Sequence, residues 1–205
     1  MKRELFFLFF AILVFICQFS NLNAQTWKEM MDSSSAYQEN QDYETALKWA
    51  LQAEAKAKEQ FGEKDTNYIA SLTSIYSCYY YNGNTEKAIE YCEKSCPLIK
   101  ELRGEGSAEY AEAVGNLGFF YDAIGDFNKA EPLYKEALEM RRRLFEGDHP
   151  DLAESISNMA YFYDGRGRYA EAEPLYKEAL EMNRRLFKGD HPNLATSINN
   201  MAYFY

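Results

Sequence analysis

The chain has 205 residues, of which 47% are hydrophobic and 16% aromatic, with a net charge of −10. That apolar content excludes a disordered chain. The acidic balance argues against nucleic acid and anionic membrane surfaces as partners, because both would meet like charge.

The first element is a separate object. "MKREL" gives a positive start, "FFLFFAILVFICQF" an apolar stretch of about 14 residues, too short to span a membrane comfortably, and "SNLNA" a small residue at its end. Residues 1–24 therefore read as a secretory signal peptide cleaved after Ala24, giving an exported protein, periplasmic or secreted, with no stable membrane span after cleavage. The alternative is an uncleaved segment that tethers the chain to a membrane; a lipid anchor at Cys17 is disfavoured because Ile16 precedes it. Loss of Lys2, Arg3 and Glu4 leaves the mature chain near −11. Export permits disulfides, and Cys78, Cys92 and Cys96 remain. They fit best as small side chains at buried helix contacts. A bridge from Cys78 to Cys92 or Cys96 stays open, while a metal lacks a ligand set.

From residue 25 onward the chain repeats. "EPLYKEALEMRRRLFEGDHPDLAESISNMAYFY" (131–163) returns at 173–205 with five of 33 positions changed, an offset of 42. Weaker copies continue backwards in register through Ala46, Ala88, Ala130 and Ala172, and through Tyr37, Tyr79, Tyr121, Tyr163 and Tyr205. The boundaries fall at 25–64, 65–106, 107–148 and 149–190, with a partial fifth unit at 191–205. In the third unit Val114, Leu117, Gly118 and Tyr121 form one helical stripe. After a turn at Gly125-Asp126, Ala130, Leu133, Tyr134, Ala137 and Leu138 form a second. Such a hairpin cannot bury its stripe alone, so neighbours must stack into an all-α, right-handed α-solenoid of helix-turn-helix repeats.

Leu117, Gly118, Tyr121, Ala130, Tyr134 and Ala137 resemble the signature of the tetratricopeptide repeat, and Met159, Ala160, Tyr163, Ala172, Tyr176 and Ala179 do so again. The 42-residue period, with "AEPLYKEALEM" and "GDHPxLA", is similar to the kinesin-light-chain type. The resemblance covers 25–205 and fades toward the start, where Ser33, Ser34 and Ala50 stand at signature positions. Repeat one is therefore expected to be a cap with a more polar outer face.

Both histidines, His149 and His191, lie in the tetrapeptide GDHP. A shift of 42 places His149 over Ser107 and Ser107 over Asp65, which are N-cap residue types, with Pro150 and Pro192 at the first helical position. GDHP reads as a helix start capped by Asp148 or His149, not as an acid–base pair or metal site.

A ligand would lie along the first helices of successive repeats. The residue before the buried Leu or Met gives a row of Asn116, Asn158 and Asn200, with Asn199 one position earlier in the fifth unit. Three positions on come Phe119, Tyr161 and Tyr203, and a further row holds Asp122 and Asp164. Asparagine amides can donate to and accept from an extended peptide backbone, and aromatic rings can hold apolar side chains. The resemblance implies the same peptide-holding role for Asn116, Asn158 and Asn200; the alternative is that they bridge neighbouring helices. Groove positions are acidic or neutral apart from Lys28, and include Glu112 and Glu154, so a neutral or basic ligand fits better than an acidic one. Lys135, Glu136, Glu139, Arg142 and Arg143 read as a solvated face with i,i+4 pairs.

The expected function is a non-enzymatic scaffold, without cofactor or metal, that binds a protein or peptide in its concave groove. No Walker loop, dinucleotide fingerprint, G-x-S-x-G or H-E-x-x-H occurs. The alternative is the regulatory repeat region of a larger signalling protein, since the second helix that should cover Met201 and Tyr205 is not in the sequence.

Overall fold

In a computed structural model that describes residues 26–205, the two periodicities become helices. The described residues form α1 (Trp27–Glu39), α2 (Tyr43–Gln60), α3 (Thr66–Tyr81), α4 (Thr85–Arg103), α5 (Ala108–Ala123), α6 (Phe127–Leu144), α7 (Pro150–Asp164), α8 (Tyr169–Leu186) and α9 (Pro192–Phe204). They contain no strand. The signal-peptide, Cys17 and Ala24 expectations lie outside the described residues. Among the described residues no helix is long and apolar enough to cross a membrane.

The chain divides at Ser74–Ile75, within α3. In the first unit, α2 presents Ala46, Ala50, Ala53 and Ala57, all fully buried. Side chains this small let α1 lie close against them. Ser34 of α1 is buried too. Its hydroxyl donates to the Ala46 carbonyl at 3.0 Å and shares a 3.0 Å hydrogen bond with Ser74, which also accepts from Gln38 Nε2 at 2.8 Å. The polar signature residue Ser34 of repeat one is thus internal and satisfied.

In the second unit successive helices pack on one another, α5 on α6 and α7 on α8 within repeats, α6 on α7 between them. Gly118 explains the closeness of α5 and α6. A Cβ there would meet Leu133 Cβ at 3.2 Å and Tyr134 N at 3.3 Å. The spaces around these approaches are filled by rings in register. Tyr134 packs on Phe162 with centroids 5.5 Å apart, and Tyr176 on Phe204 at 5.6 Å. One repeat earlier the tyrosine is replaced by Cys92, and Phe120 is met instead by Tyr76 at 5.7 Å and Tyr80 at 5.4 Å. Cys92 is buried, with Sγ 3.6 Å from the Ala113 carbonyl. Its hydrogen bond to Cys96 and its burial hold the thiol well above the usual thiol range, so it is not a poised nucleophile. Cys78 is also buried, and Cys92 and Cys96 remain thiols.

The turns follow the same period. Gly83, Gly125 and Gly167 have φ of 77°, 80° and 68°, and Gln41 takes the matching place at 60°. Asp42, Asn84 and Asp126 then cap α2, α4 and α6. Helix starts behave as the alignment of GDHP requires. Ser107 accepts from Tyr110 N at 3.2 Å, His149 Nδ1 from Asp151 N at 3.2 Å, and His191 Nδ1 from Asn193 N at 3.2 Å. Each imidazole stacks on the phenylalanine ending the preceding helix, His149 on Phe145 at 3.5 Å and His191 on Phe187 at 3.7 Å. Of the two proposed caps, His149 is the one used; Asp148 instead takes a bidentate pair from Arg185 at 2.7 and 2.8 Å.

These turns make a stability prediction. Gly125→Ala places a Cβ in the left-handed region and should destabilise the fold by about 1–2 kcal/mol. Gly106→Ala, at a glycine outside that region and in open space, should be neutral or stabilising by up to about 1 kcal/mol. Urea unfolding of both variants measures the difference.

Candidate peptide-binding groove

The site is built on α5, α7 and α9, the first helices of three successive repeats. Their buried stripes, such as Val114, Leu117 and Tyr121 on α5 and Ile156, Met159 and Tyr163 on α7, fix the rotation of each helix. That rotation turns the residue before Leu117 or Met159 to one side of the buried seam. Two adjoining cavities result. One, of about 190 Å³, lies by Asn116 and Asn158 and reaches down to Ala137 and Arg141. The other, of about 480 Å³, lies by Asn158, Tyr161 and Asn200 and reaches Asn183 and Ser197. Asp151, Glu154 and Asn158 belong to both walls, so the two form one groove.

The structure therefore brings together Asn116, Asn158, Asn200 and Tyr161. Asn116 also donates Nδ2 to the Tyr76 hydroxyl at 3.3 Å, so part of its amide bridges neighbouring helices. Asn199, Phe119, Tyr203, Asp122 and Asp164 line neither cavity. Phe119 lies against Tyr80, centroids 5.0 Å apart. Tyr203 is 96% exposed on α9. Asp122 is committed to Arg166, which also stacks on Phe127 and Phe162 at 3.8 and 3.7 Å. Asp164 accepts from the Tyr176 hydroxyl at 3.3 Å.

Arg141 is the groove residue that the sequence concealed. It sits in the run Arg141-Arg142-Arg143 on a second helix, where it resembles the solvated charges around it. In the structure it is 7% exposed. Its Nη1 donates to the Asp151 carbonyl and the Ser155 hydroxyl, each at 2.8 Å, and approaches Glu154 at 3.5 Å. Among the described residues the groove thus contains one basic group after all, held internally. The signal was available: Arg141 falls seven residues after Tyr134 and three after Leu138, on the buried face of α6. Its neighbours behave as expected, with one addition. Lys135 pairs with Glu131 at 2.7 Å within α6, while Arg142 reaches Glu178 on α8 at 2.8 Å. Glu112 lines the same cavity as Arg141. Burial raises its carboxyl above the usual range, opposed by the Arg141 charge and reinforced by Glu154 and Asp151.

This geometry, helix pairs in a 42-residue register with small residues at the crossings, has a family. The sequence matches the tetratricopeptide repeat family over 73–143, 109–182 and 151–205, which together take in well over half of the chain. The chain belongs to the tetratricopeptide repeat family. Solved structures agree on the fold. One is a putative kinesin light chain from Podosopora anserina with nearly identical tetratricopeptide-like repeats (TM-score 0.73, 19% identity, 87% of this chain and 84% of that one). Another is BtubC (BKLC) from P. vanneervenii (TM-score 0.72, 22% identity, 81% of this chain and 66% of that one). A third is a signal transduction ATPase from Pyrococcus horikoshii with a tetratricopeptide repeat sensor (TM-score 0.71, 17% identity, 87% of this chain but 27% of that one). No curated protein matches the sequence. The fold is thus like that of the putative kinesin light chain repeats, and tetratricopeptide repeats form protein-interaction scaffolds.

The raised Glu112 carboxyl gives a signed pH dependence. A folded-state pKa above the unfolded value favours the fold below the unfolded pKa and is lost as pH rises through the folded one. Glu112→Gln should therefore raise Tm at pH 7, and the gain should vanish below about pH 4. Thermal melts of both proteins at the two pH values check this.

Proposed function

We propose that the protein is an exported, non-enzymatic scaffold whose repeats bind an extended peptide segment along α5, α7 and α9. The observation that carries this reading is Asn158, which stands on the wall shared by both cavities with Asn116 and Asn200 one repeat to either side. Amides set one per repeat offer a donor and an acceptor to a peptide backbone at each step. Tyr161, 65% exposed beside Asn158, adds an aromatic surface for a side chain. The carboxylates of Glu112, Asp151 and Glu154 outnumber the single internal guanidinium of Arg141, which favours neutral or basic segments over acidic ones. The leader-like residues 1–24 support export, and the interaction-scaffold fold supports a binding role without chemistry.

A random octapeptide display on the mature chain tests the reading. Peptides selected on the wild type should bind Asn158→Ala and Asn200→Ala roughly tenfold more weakly each, the loss of about one amide hydrogen-bond pair. Unchanged affinity in both variants, measured by isothermal titration, would remove the groove assignment.

A further inference from the structure

Two successive repeats treat the same position differently. A shift of 42 residues superposes Arg141 on Asn183 and Ser155 on Ser197. In the earlier repeat the Arg141 guanidinium fills the wedge between α6 and α7, bonded to the Asp151 carbonyl and the Ser155 hydroxyl, and the remaining space is about 190 Å³. In the later repeat Asn183 extends less far. Its Nδ2 donates to Ser197 Oγ at 2.7 Å, and about 480 Å³ stays open beside α7, α8 and α9.

Three features of that larger cavity ask for the same kind of group. Asn183 is only 5% exposed, and its Oδ1 meets no hydrogen-bond donor among the described residues. A buried acceptor of this kind needs an N–H or O–H. Asp151 and Glu154 stand on the wall, and no Lys or Arg among the described residues does. Tyr161 offers its ring at the same wall, a surface on which a planar cation stacks. The chain itself already places a guanidinium in the equivalent space one repeat earlier.

We infer that the cavity between α7, α8 and α9 receives the guanidinium of an arginine side chain from the bound peptide, in the place that Arg141 occupies one repeat earlier. The inference rests on the groove reading above and adds the side chain that the groove selects. A guanidinium has five donors in a rigid plane, so it can address Asn183 Oδ1 and a wall carboxylate together while its face lies on Tyr161. A lysine ammonium supplies the charge but neither the fork nor the flat face.

The test uses three probes on the mature chain, acetyl-Ala-Ala-Arg-Ala-Ala-amide and its citrulline and glutamate counterparts, followed by NMR titration. Citrulline keeps the shape of arginine without its charge. The arginine peptide should bind at least about tenfold more tightly than the citrulline peptide, and the glutamate peptide should not saturate. Asn183→Arg installs the internal guanidinium of the preceding repeat and should abolish the arginine preference. Glu154→Gln, an exposed position that leaves packing intact, should weaken the arginine peptide severalfold and leave the citrulline peptide unchanged. Equal binding of the arginine and citrulline peptides, saturation by the glutamate peptide, or a preference that survives in Asn183→Arg would each overturn the inference. The groove reading has its own readout in the Asn158 and Asn200 variants with library-selected peptides, so either can fail while the other stands.

Discussion

The fold depends on how closely two helix backbones can approach at the crossing within each repeat. At Gly118 a single added Cβ would press on Leu133 and on the Tyr134 backbone, and fully buried alanines at 130 and 172 hold the same kind of contact on the second helices. A side chain larger than these would wedge a hairpin open and displace the rings of Tyr134 and Phe162 that fill the space around it. Because each hairpin is completed only by its neighbour, one local constraint repeated every 42 residues becomes the architecture of the second unit. The left-handed turn glycines and the Ser or His caps set where each helix begins, which keeps the crossings in register.

The groove is a by-product of that register. With the stripe of α5 and α7 committed to the core, the residue preceding each buried Leu or Met must lie at the groove side, and an asparagine there recurs once per step. What differs from step to step is the second helix beneath. Arg141 closes the floor in one repeat, and Asn183 leaves it open in the next. Near-identical repeats thereby produce one filled and one open cavity, and three of the five changed positions, with Asn183, Asn193 and Thr196 in place of Arg141, Asp151 and Glu154, lie on the wall of the larger one.

Much of this was legible in the sequence because the period carries it. The helices, the turn at Gly125, the capping role of GDHP and the asparagine row all follow from aligning residues 42 apart. Other features depend on side-chain reach, which an alignment does not record. Arg141 stands in an Arg-Arg-Arg run, and its length lets it fold back under α7 to Ser155. Asp122 looked like a ligand position until Arg166, which has no arginine counterpart in other repeats, claimed it. Ser34 is a polar residue at a core signature position, and its hydroxyl can be buried because the Ala46 carbonyl lies within reach.

The most direct measurement is a map of amide chemical-shift changes on the mature chain as a library-selected peptide is added. The account predicts that the largest changes follow α5, α7 and α9, centred on Asn158 and extending to Asn116 and Asn200. Changes concentrated on the outer faces of α6 and α8, around Lys135, Arg142 and Glu178, would contradict it.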